Sequence, residues 1–77
     1  MRLKYIITQG NGFVIFPHEF RHIDVAKGLD EEPASAGFCC FNFAGVECYG
    51  ESVTLRLQSR TVDSEIITNR IKNANQK

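Results

Sequence analysis

The chain has no surplus charge of either sign: nine Lys and Arg balance nine Asp and Glu. Little counterion release is therefore available to it. That release supplies most sequence-independent affinity for nucleic acid, so weak or absent binding at physiological salt is expected. No apolar run approaches the roughly 20 residues of a membrane-spanning helix. The charged start is followed by an apolar run of Tyr5 to Ile7 only, too short for the apolar region of an export signal. Three cysteines cannot all pair within one chain. Free thiols and a reducing, cytoplasmic setting are the expectation. A Walker sequence, a G-x-S-x-G elbow and a C-x-x-C pair are also missing. With them go the common signatures of phosphate loops, serine hydrolases and zinc sites.

What is present fits one domain over residues 1–77, with 73–77 as a frayed tail. At 77 residues a single core is only just sufficient, and little chain is left to wall a deep catalytic cleft. The charge is unevenly spread. Residues 52–77 carry Arg56, Arg60, Arg70, Lys72 and Lys77 against Asp63 and Glu65, a mild gradient of the kind solvated surfaces show.

Leu3 to Thr8 is rich in β-branched and aromatic residues and reads as a strand. Asn11-Gly12 is a hairpin signal, and Phe13 to Phe16 is the return strand. A two-residue turn there sets Ile7 opposite Phe16 and puts Leu3, Tyr5, Ile7, Val14 and Phe16 on one face. Pro17 closes the strand. His18 to Lys27 reads as a short helix ended by Gly28 at its C′ position. Ala34 to Phe43 is apolar on both alternating sets, as a central strand is.

Asn42-Phe43-Ala44-Gly45 fits a type I turn. A three-residue loop pairs Asn42 with Val46 and sets Cys40 opposite Cys48. A two-residue loop at Ala44-Gly45 is the alternative. It groups Cys39, Phe41, Val46 and Cys48, but asks Ala44 for a positive φ. From Val46 to Leu57 the apolar phase changes near Gly50, through a β-bulge or a split into two strands. Val62, Ile66, Ile67, Ile71 and Ala74 form a helical stripe. Asp63 and Glu65 sit near its start, and Arg70 and Lys72 near its end, as the helix dipole favours. The expected fold is α+β in the order β-β-α-β-β-α: a small antiparallel four-stranded sheet, its fourth strand bulged or split near Gly50, with the C-terminal helix on one face.

Several patterns invite chemistry. His18-Glu19-Phe20-Arg21-His22 is a literal H-E-x-x-H, which on a helix would offer two imidazoles to zinc and a Glu as base. Pro17 interrupts any upstream helix, Asp24 stands where an apolar residue is usual, and no third His exists. His18 and His22 are thus read as a chance match, and no metal or other cofactor is expected. The cysteines are read as small packing residues. Gly37 to Phe43 resembles the aromatic strand of the RNA recognition motif, whose rings stack on bases. Ala36 stands where that family has Lys or Arg, Cys40 replaces a central aromatic, and the element order differs. No site residue is carried over from the resemblance.

The leading functional expectation is a non-enzymatic protein-interaction module, acting on another protein or as a homo-oligomer. Cys39, Phe41, Phe43 and Tyr49 are its candidate contacts, on the sheet face that the long helix leaves open; the alternative for that face is that the first helix, with Phe20 and Ile23, folds over it as a lid. The alternative is nucleic-acid binding through Arg56, Arg60, Arg70 and Lys72. A metal-dependent hydrolase at the H-E-x-x-H segment comes third.

Overall fold

Strands β1 (Leu3–Thr8), β2 (Phe13–Pro17), β3 (Pro33–Asn42) and β4 (Gly45–Tyr49) form one antiparallel sheet in the computed structural model of the protein, which describes residues 2–74. The strand order is β2-β1-β3-β4. Helix α1 (His22–Ala26) lies between β2 and β3. After β4 come two short strands, β5 (Glu51–Ser52) and β6 (Leu57–Gln58), paired with each other, and then helix α2 (Thr61–Ala74). This is the expected α+β architecture. The phase change near Gly50 is resolved as a split: Gly50, at φ +76°, turns the chain out of the main sheet. Asn73 and Ala74 belong to α2, and the remainder of the expected tail, 75–77, lies outside the described residues.

Both main hairpins differ in register from the sequence reading. In the first, Ile7 pairs with Phe13 and Tyr5 with Ile15. The loop is Gln9-Gly10-Asn11, and Asn11 alone takes the left-handed conformation, at φ +65°. Thr8 decides this. Its N–H donates to the Gly12 carbonyl at 2.9 Å, and its hydroxyl oxygen accepts the Gly12 N–H at 3.1 Å while donating to Glu31 at 2.6 Å. An odd shift in register exchanges the faces of every residue on a strand. Phe13 and Ile15 therefore join Tyr5, whereas Val14 and Phe16 join Ile6.

In the second hairpin Asn42 pairs with Gly45, Phe41 with Val46, and Cys39 rather than Cys40 with Cys48. The loop is Phe43-Ala44, and neither residue needs a positive φ. The Asn42 side chain accepts the backbone N–H groups of Ala44 and Gly45 at 2.9 and 3.0 Å, and Gly45 takes the unusual conformation, at φ +140°.

The sheet buries both faces. On one, Tyr5, Ile7, Cys39 and Val46 pack against Ile67 of α2, with Leu3, Phe13, Ile15, Cys48, Ile66 and Ile71 around them. On the other, Ile6, Phe16 and Ala36 are covered by Val25 and Ala26 of α1, by Leu29, and by Leu55 and Leu57 of the β5–β6 hairpin. The face expected to lie open is therefore covered, and by two small elements together. Phe20 takes no part in that lid and is more than half exposed.

Asp63 fastens α2 to the sheet. It is fully buried, and its carboxylate accepts the Arg60 backbone N–H at 2.9 Å, the Arg60 Nε at 2.9 Å and the Tyr5 hydroxyl at 2.5 Å. The first of these is the helix-side half of a capping box. Burial alone would raise the pKa of Asp63. The hydrogen bonds from Tyr5 and Arg60, with the Ser35 hydroxyl close by, outweigh burial and hold it below the ordinary carboxylate value. Among the described residues the Ser35 oxygen itself reaches no partner in proper hydrogen-bonding geometry.

Candidate functional site

The H-E-x-x-H segment is not a helix. His18, Glu19 and Phe20 lie in a turn after β2, and α1 begins only at His22. The helix expected over 18–27 is thus shorter, and Gly28 closes it without a left-handed φ, through 3.0 Å bonds from Gly28 N–H to the Val25 carbonyl and from Leu29 N–H to that of Ala26. Without a common helix face the two imidazoles diverge. His18 is exposed, with Nδ1 3.2 Å from the Arg2 carbonyl. His22 is buried, donates from Nε2 to the Gly37 carbonyl at 2.9 Å, and stands edge-on to Phe16 and Phe38. Burial lowers its pKa. Among the described residues no cluster of three or more His, Cys, Asp or Glu is placed to hold a metal.

Cys39, Cys40 and Cys48 are free thiols. Burial pushes Cys39 up to about 12 and Cys48 up to about 11. Cys40 is exposed, with its thiol 3.9 Å from the Glu47 carboxylate. Because the thiolate is the reactive form, Cys40 alone is expected to react quickly with iodoacetamide in the native protein. The other two should follow only on unfolding. Mass spectrometry of a short labelling pulse with peptide mapping checks this, and rapid labelling at Cys39 would contradict its burial.

The four candidate contact residues do not share a surface. Cys39 is 1 % exposed beneath α2, so it is removed as a contact. Phe41 and Phe43 are exposed at the end of the β3–β4 hairpin. There they border a small notch with Val46 and Ile71. Tyr49 is on the opposite face, stacked on Phe38. The basic candidates also separate. Arg56 and Arg60 border one cleft beside β5 and β6, and Arg60 is held by Asp63. Arg70 reaches the Asn11 carbonyl at 3.4 Å, and Lys72 lies by the notch at the other hairpin.

The feature that sequence reasoning did not find is a difference between the two edges of the sheet. Ladder bonds alternate along an antiparallel strand. Counting from the Thr8–Gly12 bond, the alternation points Val46 and Cys48 outward on β4, and Phe13 and Ile15 outward on β2. On β4 these groups are met by α2. Val46 N–H donates to the Thr68 hydroxyl at 2.9 Å, that hydroxyl donates to the Val46 carbonyl at 3.3 Å, and Cys48 N–H donates to Ser64 at 2.8 Å. On β2, among the described residues, no side chain or loop bonds to Phe13 or Ile15. The β2 sequence, Phe-Val-Ile-Phe-Pro, carries no charge, and Phe13, Val14 and Ile15 are only partly buried. Folded proteins usually blunt such an edge with charge, a bulge or a covering element. Here Pro17 limits its length, and among the described residues nothing else protects it. No protein-family model, no curated protein and no solved structure matches the chain.

Proposed function

We propose that the protein is a non-enzymatic interaction module that works as a homodimer, joined by antiparallel pairing of β2 with β2 of a second copy. The single observation behind this is the contrast between a sealed β4 edge and an open, apolar, uncharged β2 edge. Setting Phe13 opposite the partner's Ile15 would satisfy the outward N–H and C=O groups of both residues on both chains. The same patch meets itself across a two-fold axis, the commonest symmetry of soluble oligomers. The partner is therefore a second copy of this chain, and no further sequence is required to complete the strand pairing.

The test is amide hydrogen exchange read together with sedimentation. Val14 and Phe16 bond inward to β1, so their amides are protected in monomer and dimer alike. Phe13 and Ile15 amides are expected to be slow only at concentrations where the dimer is populated, and fast on dilution. A chain that stays monomeric up to millimolar concentration would refute the reading. So would a dimer in which Phe13 and Ile15 still exchange quickly.

A further inference from the structure

A cleft of about 500 Å³ opens where the start of β1, the middle of β3 and the end of β4 meet the loop between β5 and β6. The register builds it. Phe16, Lys4, Phe38 and Tyr49 stand opposite one another across four strands, so their side chains form one row on the α1 face. Phe38 and Tyr49 stack at 6.0 Å between ring centroids, with 24° between their planes, so each ring turns one face to the other, and Tyr49 stays 44 % exposed. Buried His22 backs Phe38 edge-on. Arg2, two residues before Lys4, projects from the same face, and its guanidinium carbon lies 5.1 Å from the centre of the Phe38 ring.

Three cations, Arg2, Lys4 and Arg21, converge here against one lining carboxylate, Glu51. In a chain of zero net charge that is a local surplus. Arg21 is paired with Asp24 at 2.9 Å, but among the described residues neither Arg2 nor Lys4 meets a carboxylate. Lys4 instead donates to the Phe20 carbonyl at 2.8 Å, which holds its ammonium at the rim. A cleft with a surplus of one sign of charge draws in the opposite sign. The exposed Tyr49 ring beside that charge adds a preference for a flat ring, since bases stack on aromatic side chains whatever their sequence.

We infer that this cleft binds a nucleoside monophosphate, with the base on the exposed ring of Tyr49 and the phosphate met by Arg2 and Lys4. Both halves of the ligand are needed. A phosphate alone misses Tyr49, and a nucleoside alone misses the cations. The inference is independent of β2 pairing, because Arg2 and Tyr49 take no part in the β2 edge.

The experiment is an NMR titration of the full chain with adenosine and uridine monophosphates, the matching nucleosides, inorganic phosphate and a tetranucleotide. The monophosphates are expected to bind at least about tenfold more tightly than either nucleoside or phosphate, with shifts centred on Lys4, Phe38, Tyr49 and Thr54. Arg2→Gln should bring monophosphate binding down to the nucleoside level, and Tyr49→Ala down to the phosphate level. Both residues are exposed, so the spectra of these variants should otherwise be those of the wild type. Equal affinity for phosphate and monophosphate would overturn the proposal, as would the lack of any saturable shift up to about 10 mM ligand. A tetranucleotide bound tenfold more tightly than the monophosphate would overturn it in favour of a single strand.

Discussion

Asp63→Ala is expected to cost about 3–5 kcal/mol, the range for stripping one partner from a buried charged contact. The residue is 0 % exposed. Its loss strands the Tyr5 hydroxyl in the core and removes the acceptor for two Arg60 donors. A buried donor without an acceptor costs about 1–3 kcal/mol by itself. Tyr5→Phe should cost less, about 1–2 kcal/mol, because Asp63 keeps its bonds to Arg60. Arg60→Gln should cost least, since the Arg60 side chain is 40 % exposed and water can replace it. Stabilities of domains this size run to about 5–15 kcal/mol, so the alanine variant is expected to lie near the limit of folding.

The effect depends on pH in a defined direction. Hydrogen bonding holds the folded-state pKa of Asp63 below its ordinary value. The contribution is thus fully present above the unfolded pKa of about 3.9 and fades as pH falls through the lower, folded value. Urea melts of wild type and Asp63→Asn should differ most above about pH 4 and converge in stronger acid. A pH-independent gap, or an alanine variant within 1 kcal/mol of wild type as a rough bound, would mean that Asp63 does not fasten α2 in this way.

Gly37→Ala is expected to be comparably damaging for a different reason. A Cβ at position 37 would stand 2.5 Å from the Tyr49 carbonyl oxygen and 3.3 Å from the carbonyl carbon and oxygen of Gly50. These are backbone atoms at the point where the chain leaves β4, so no side chain can swing aside. Gly37 also pairs with Tyr5 in the middle of the sheet, and its carbonyl receives His22. Relief at one contact would disturb the others. Overpacking of this kind costs about 1–3 kcal/mol and occasionally more, and the rigid surroundings argue for the upper end. Gly28→Ala is the control: its Cβ would meet only the Val25 carbonyl oxygen at 3.6 Å, an ordinary contact. It should be neutral, or stabilising by up to about 1 kcal/mol through the unfolded chain. Thermal melts of the two alanine variants should therefore separate widely. Equal melting temperatures would place the β4 exit elsewhere.

The α+β class, the element order and the position of α2 were legible because they rest on long patterns: alternating apolar residues in the strands and the Ile66, Ile67, Ile71 stripe. The hairpin registers were not, because each turned on one polar side chain acting at short range. Thr8 selected the Gln9-Gly10-Asn11 loop by bonding both Gly12 and Glu31. Asn42 capped two backbone N–H groups and thereby allowed a Phe43-Ala44 loop without positive φ at either residue. Such choices are invisible to hydrophobic periodicity, yet each flips a strand. Asp63 was legible only as an acid near a helix start. That it is buried against Tyr5 depends on residues 58 positions apart in the chain. The row of Phe16, Lys4, Phe38 and Tyr49 was hidden for the same reason, since it exists only once both registers are set.

For copies paired at β2 as proposed, the hydroxyls of Ser64 and Thr68 would also fix how far assembly can proceed. A sheet with two open edges has a valence of two and adds copies without end, as fibrils do. Because α2 occupies the Val46 N–H and C=O and the Cys48 N–H on β4, each chain in the proposed dimer would keep a valence of one, and joining at β2 would consume it. The length of any assembly built this way is set by two small side chains on a helix at the far side of the sheet. The docking of α2 is then what separates a closed pair from an open-ended polymer.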